Sequence, residues 1–217
     1  MTGRTKGVTP TPGVTSFTHG AGGYAASEAL ERRCRQMPML KGKLLIASPA
    51  LVDPNFARAV VLVAEHSPDG TLGLVLNRPS DSSVTESVDE LRGVVNPGDP
   101  VFVGGPVQTD AVMVLAEFSD ADLAAALVLE DIGFLPAEAD MDVIAASTRR
   151  ARVFAGHSGW APGQLDGELE EGAWIVLDAL PDDVFSPDTD ELWGIALERK
   201  GGAYAQLARV PEDPSVN

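Results

Sequence analysis

The sequence predicts an α+β domain built around a curved sheet, and three observations lead there. Apolar runs of strand length, residues 44–47 (LLIA) and 60–66 (VVLVAEH), are closed by turn-forming residues. Strand and helix patterns then follow one another without the βαβ regularity of a parallel sheet. Glycine and proline punctuate three blocks, residues 43–79, 102–107 and 154–169, at a density that marks tight turns and close backbone approach.

Taken in order, residues 1–23 are rich in Gly, Thr and Pro and nearly lack large apolar side chains. Burial cannot offset the entropy of ordering such a stretch, so it predicts a flexible leader. Residues 24–41 suit a short helix of basic character. The expected organisation is a basic leader over 1–39, one domain over 40–210 and a flexible tail over 211–217. A true start at Met37 or Met39 and a mobile native tail both fit the leader. After the 44–47 strand, Asp53-Pro54-Asn55 sets an N-cap acid before the residue best suited to the first helical position, predicting a helical turn. Residues 60–66 read as a buried strand, Ser67-Pro68-Asp69-Gly70 as a turn and 71–77 as the antiparallel partner. Residues 84–91 fit a short helix and 96–100 a loop, while 101–103 and 112–118 read as strands flanking a Gly104-Gly105-Pro106 corner. The last third offers a helix over 137–148 and a strand over 152–155. A tight loop over 156–163 follows, with Trp160 packed on the core, then a helix opened by Pro162 and a strand over 174–177. An amphipathic helix over 190–199 carries Leu192, Trp193, Ile195, Ala196 and Leu197.

With 217 residues and 44% apolar content, the chain suits a single domain with a substantial core. Residues 1–43 hold seven Lys/Arg against Glu28 and Glu31, net +5, which leaves nine against thirty, net −21, for the rest. So acidic a body disfavours direct duplex binding, which gains affinity from Lys and Arg set against phosphates. The dense basic run, Arg149, Arg150 and Arg152, reads as a solvated helix end in preference to a phosphate clamp. The single cysteine, Cys34, rules out an internal disulfide and a Cys-rich zinc site, and its arginine neighbours predict some thiolate bias. No apolar run approaches the ~20 residues of a membrane span, and no apolar segment follows Arg4 and Lys6 as a secretory signal requires. The expectation is a cytoplasmic protein without a membrane partner.

Five ordered blocks carry a family resemblance: GKLLIASP at 42–49, DPNFARAVVL at 53–62, EH and GTLGLVLNRP between 65 and 79, GGPV at 104–107, and GHSGWAPGQLDGEL at 156–169, followed by Trp174 and Leu192-Trp193. Over about residues 40–200 the chain resembles the AlgH/YqgE-type family of bacterial proteins. The resemblance implies an α+β fold with a strongly curved, mixed, largely antiparallel sheet resembling a partial barrel and flanked by helices. Members are mostly uncharacterised, and one branch carries the label of transcriptional regulator. The basic leader and His157, where the family often has Tyr, depart from the pattern.

No catalytic template is complete. Gly156-His157-Ser158-Gly159 places its second glycine one residue after the serine, where a nucleophile elbow has it two after. The base for Ser158 would be His66, on a strand. His19, His66 and His157 are isolated, with no paired ligand spacing for a metal, and Gly104-Gly105-Pro106 lacks the lysine and helix of a phosphate cradle. The expectation is no metal, no cofactor and no catalytic set. The candidate ligand-binding residues are Asp53, Asn55, Arg58, Asn77 and Arg78 at the ends of the hairpin strands, with Gly104, Gly105, Trp160 and Gln164 adding walls. There the two arginines either grip an anion or pair with nearby carboxylates while Asp53 caps its turn and the asparagines bond to loop backbone. Gln164 and Glu168 share a helix face. Two function classes follow: a non-enzymatic regulatory or adaptor protein acting through a protein partner or small ligand, and an enzyme or sensor for a small anionic metabolite.

Overall fold

The structure, a computed structural model, describes residues 39–208 except 85–87, 89, 90 and 97. The expected leader, the helix over 24–41, Cys34, the tail and most of the 84–91 helix lie outside the described residues.

Leu44 to Ala47 follow one another without polar interruption because β1 (Lys43–Ala47) is buried on both faces. Leu44 and Ile46 join one core layer, Leu45 and Ala47 another. β2 (Val60–Ser67) and β3 (Gly70–Val75) form the expected hairpin, and β2 divides its side chains the same way, Val60 and Leu62 to the first layer, Val61 and Val63 to the second. The first layer also holds Leu192, Trp193, Ala196 and Leu197 of α4 (Leu192–Lys200), and the second holds Trp160 together with Leu165 of α2 (Gln164–Glu170). Burying both faces explains why strand patterning there reads as continuous apolar runs.

The remaining strands are β4 (Pro79–Ser83), β5 (Pro100–Val103), β6 (Val107–Phe118), β7 (Ala126–Leu129), β8 (Ile132–Phe134), β9 (Thr148–Trp160) and β10 (Trp174–Asp178). The ten strands make one mixed, largely antiparallel sheet in the order β10-β1-β2-β3-β9-β6-β8-β7, with β5 joining β9 in parallel and β4 pairing with β5. The path ends on β10 and β7, so the sheet does not close. The other described α-helices are α1 (Met141–Ser147), α3 (Pro181–Val184) and α5 (Tyr204–Leu207). Among the described residues no helix is long and apolar enough to cross a membrane.

Several expectations need correction. The glycine-rich stretch 156–160 is strand, not loop: β9 runs through it to Trp160. Its glycines serve close approach of backbones. A Cβ on Gly105 (φ 152°) would stand 2.4 Å from the His157 carbonyl, and one on Gly156 (φ 69°) 2.7 Å from the Gly105 carbonyl oxygen. The expected helix over 137–148 begins later, because the Asp140 carboxylate accepts the Asp142 and Val143 N–H groups and caps α1 there. Arg149, Arg150 and Arg152 consequently open β9 and are not a helix end. β4, β7, β8, α3 and α5 were not expected from the sequence; they are short pieces whose pattern is too brief to show a period.

Candidate functional site

The hairpin-end residues do come together, as a brace. The Asp53 carbonyl accepts the Phe56 and Ala57 N–H groups at 2.9 and 2.7 Å, and its carboxylate accepts the Asn55 N–H at 2.8 Å, which closes the expected helical turn. The turn leaves through Arg58 in the left-handed region (φ 55°), a conformation costly for a side chain of this size unless it is held. Asn77 holds it: Nδ2 donates to the Arg58 carbonyl at 2.9 Å, and Oδ1 accepts the Val60 N–H at 2.9 Å. Arg78 donates through Nη2 to the Ala57 carbonyl at 2.6 Å, and the Arg58 guanidinium lies 4.5 Å over the Trp193 ring. Trp193 in turn donates Nε1–H to the Ala47 carbonyl at 2.8 Å. Asp53 and Asn55 are exposed at the rim of this junction.

Trp160 and Gln164 belong to a second cluster centred on Glu168. Its Oε2 accepts both indole N–H groups, Trp160 at 2.9 Å and Trp174 at 2.8 Å, while Oε1 accepts Gln164 Nε2–H at 2.9 Å. Phe56 joins this cluster to the brace, stacked on Trp160 at 6.1 Å and edge-on to Trp174 at 5.5 Å. Gly104 and Gly105 lie between β3 and β9: the Gly104 carbonyl accepts the Val75 N–H at 2.9 Å and the Ser158 hydroxyl at 3.1 Å. Ser158 is fully buried there, and His66 Nδ1 is engaged with Thr71 Oγ1 at 2.7 Å.

A cavity of about 520 Å³ was not expected from the sequence. It exists because β5 reaches β9 only at Val101, opposite Val153, so the stretch 149–152, paired with β6 on one side, has no strand on the other among the described residues. Arg149, Arg150 and Arg152 line this gap together with Asp99, Phe102 and Phe185. Arg150 donates to Glu117 at 2.6 Å and to Asp182 at 2.8 Å, and the Glu117 hydrogen bond holds its guanidinium above the ordinary value. Arg149 lies 3.5 Å from Asp131 and 3.6 Å from Glu117. Arg152 differs. Its bonds go to the Leu76 and Ser186 carbonyls at 3.2 and 2.7 Å, its guanidinium lies 4.0 Å over Phe102, and it forms no ion pair among the described residues. Burial pulls its pKa down to about 10, with the Asp99 charge pulling the other way. The signal for this site was the Arg149–Arg152 run itself, legible as a strand once α1 is seen to end at Ser147.

A second surface lies further along the same strands. The register sets Val101, Val153 and Val114 in one row across β5, β9 and β6, and Val103, Ala155 and Val112 in the next row on the same face. The first row is buried in a layer with Val84, Leu91 and Val95. The second is not: Val103 is 44% and Val112 49% exposed, and Val107, paired with His157 on the same face, is 38% exposed. A sheet face that is core at one row is therefore open and apolar at the next.

A family model described as DUF179, AlgH-like, matches residues 44–205. A UPF0301 protein of Streptomyces coelicolor is 41% identical over 188 residues, covering 84% of this chain and 97% of that one. A UPF0301 protein of Thermobifida fusca is 41% identical over 189 residues, covering 82% and 96%. Among solved structures, the crystal structure of protein DIP2367 from Corynebacterium diphtheriae matches with a TM-score of 0.73 at 30% identity, covering 82% of this chain and 98% of that one. The solution structure of the AlgH protein from Pseudomonas aeruginosa matches with a TM-score of 0.62 at 31% identity, covering 81% and 96%.

Proposed function

The chain belongs to the AlgH-like family, and from that premise we propose that it is a non-enzymatic cytosolic regulatory or adaptor protein that acts through a protein partner. The observation that carries this reading is the exposed pair Val103 and Val112, flanking half-buried Ala155 and extended by Val107. Apolar area left open where the same face is core one row away favours an apolar segment of a partner, at roughly 25 cal/mol for each Å² removed from water. The brace at Asn77 and Arg78 supports the same reading, since the groups nominated for ligand chemistry bond to the backbone of the 53–58 turn. A partner that is protein and not duplex DNA fits the net −21 of residues 44–217. The test pairs recovery of partners on the wild-type chain with titration of each purified partner against wild type and a Val103→Glu/Val112→Glu variant. The expected result is at least about tenfold weaker binding by a variant that unfolds at the wild-type temperature. Equal affinity, or salt-sensitive retention on DNA, would sink the reading.

A further inference from the structure

Three arginines line the gap beside β9, and the protein neutralises two of them with its own carboxylates. Glu117 and Asp182 take Arg150, and Glu117 and Asp131 flank Arg149. Residues 44–217 contain thirty carboxylate side chains, yet among the described residues none forms an ion pair with Arg152. The guanidinium is instead fixed from two sides by backbone carbonyls and from a third by the Phe102 face. These contacts orient it without cancelling its charge, and a partly desolvated cation with no ion-pair partner among the described residues is costly. The two carbonyl bonds occupy two of its five N–H groups.

The rest of the cavity defines what would complete the site. Val94, Val95 and Phe185 give apolar wall, and Thr189 adds a hydroxyl. Asp99 faces the same space, its Oδ2 held by the Asn96 N–H at 3.0 Å and side-chain amide at 3.3 Å. A single negative charge is matched by Arg152, whereas a second would meet the Asp99 carboxylate. The volume, about 520 Å³, falls among small-molecule sites.

We propose that the gap between β5 and the opening stretch of β9 is a binding site for a small organic monocarboxylate, its carboxylate on Arg152 and its apolar body against Val94, Val95 and Phe185. This site is separate from the partner surface at Val103 and Val112, and either stands without the other. A planar carboxylate suits the guanidinium fork through paired N–H donors. Asp99 acts as the selectivity element, raising the cost of phosphates and dicarboxylates.

The test titrates benzoate, hexanoate, benzyl alcohol and inorganic phosphate against the full chain by calorimetry and by backbone amide shifts. Saturable binding of at least one monocarboxylate is expected, with shifts at residues 150–153 and 185–189. Benzyl alcohol and phosphate should each bind at least about tenfold more weakly. Arg152→Met should weaken the carboxylate at least about thirtyfold, in line with truncating one partner of a buried charge pair, while Lys41→Gln, an exposed cation away from the cavity, stays within about twofold. Should Arg152→Met fail to fold, Asp99→Asn decides, since it should tighten the carboxylate and narrow the gap to phosphate. No saturation by either carboxylate, equal binding of the alcohol, or an Asp99→Asn protein with unchanged preferences would overturn the proposal.

Discussion

Glu168 is the residue whose loss the geometry forecasts in most detail. One carboxylate oxygen accepts two indole N–H groups, from β9 and β10, and the other accepts Gln164 from the opening of its own helix. Glu168→Ala leaves both indoles, Trp160 and Trp174, without that acceptor, and each is a buried residue. A buried donor left unsatisfied costs about 1–3 kcal/mol, so the pair should lose roughly 2–6 kcal/mol. For a chain of this length that lowers Tm by about 4–24 °C. Glu168→Gln keeps an oxygen acceptor and forfeits only charge assistance, so it should cost about 1–2 kcal/mol. The assay is urea unfolding followed by tryptophan fluorescence and far-UV circular dichroism, with coincident transitions required before either value is accepted. A cycle with Trp174→Phe should show about 1 kcal/mol of coupling to Glu168→Ala. A Glu168→Ala loss under about 0.5 kcal/mol, or zero coupling, would mean that Glu168 is not the acceptor both indoles depend on.

Gly104→Ala sets a Cβ 2.3 Å from the Gly156 carbonyl oxygen, whereas Gly167→Ala in α2 meets nothing within 4 Å. The first should abolish recovery of folded protein and the second should stabilise by roughly 0.5–1 kcal/mol in the same denaturation assay. Asn77→Asp retains an acceptor for the Val60 N–H but sets an oxygen against the Arg58 carbonyl, so it should cost at least about 2 kcal/mol, read as a lowered urea midpoint. Asp183 is a buried carboxylate holding Arg199 through two 2.7 Å contacts and accepting the Leu180 N–H at 2.7 Å, and Asp183→Ala should lose about 3–5 kcal/mol by thermal unfolding. The Asp178 carboxyl is held below the usual range by its hydrogen bond and charge contact with Lys43. Its contribution is present above the ordinary carboxylate pKa of about 3.9 and lost as pH falls through the lower folded value, so Asp178→Asn should flatten that part of a stability–pH profile.

The hairpin, β1, β10 and α4 were legible because burial on two faces or one face leaves a run or a period in the sequence, as at Leu44–Ala47 and Leu192–Leu197. β9 was half legible. Its apolar centre at Val153–Phe154 shows, but its ends are arginines and glycines, which read locally as a solvated end and a loop. What makes 156–160 a strand is Gly105 approaching from some fifty positions away, a constraint no local window contains. Of the hairpin-end residues, Asn77 and Arg78 meet the 53–58 turn, as their place at the end of the second strand suggested. That the turn's own carbonyls would take up the Arg78 and Asn77 donors depended on the left-handed exit at Arg58, which the sequence does not announce. The cavity was hidden for a topological reason: it is the place where β5 begins too late to cover β9.

A partner-binding role depends on the exposed Val103 and Val112 beside half-buried Ala155. A photo-crosslinking side chain placed at Val112, compared in living cells with the same group at the similarly exposed Ile195 on α4, tests it directly. One discrete protein adduct is expected at 112, absent at 195 and lost when Val103→Glu is added. Matching adducts at both positions, or an adduct at 112 that survives Val103→Glu, would mean that this face is not the partner surface.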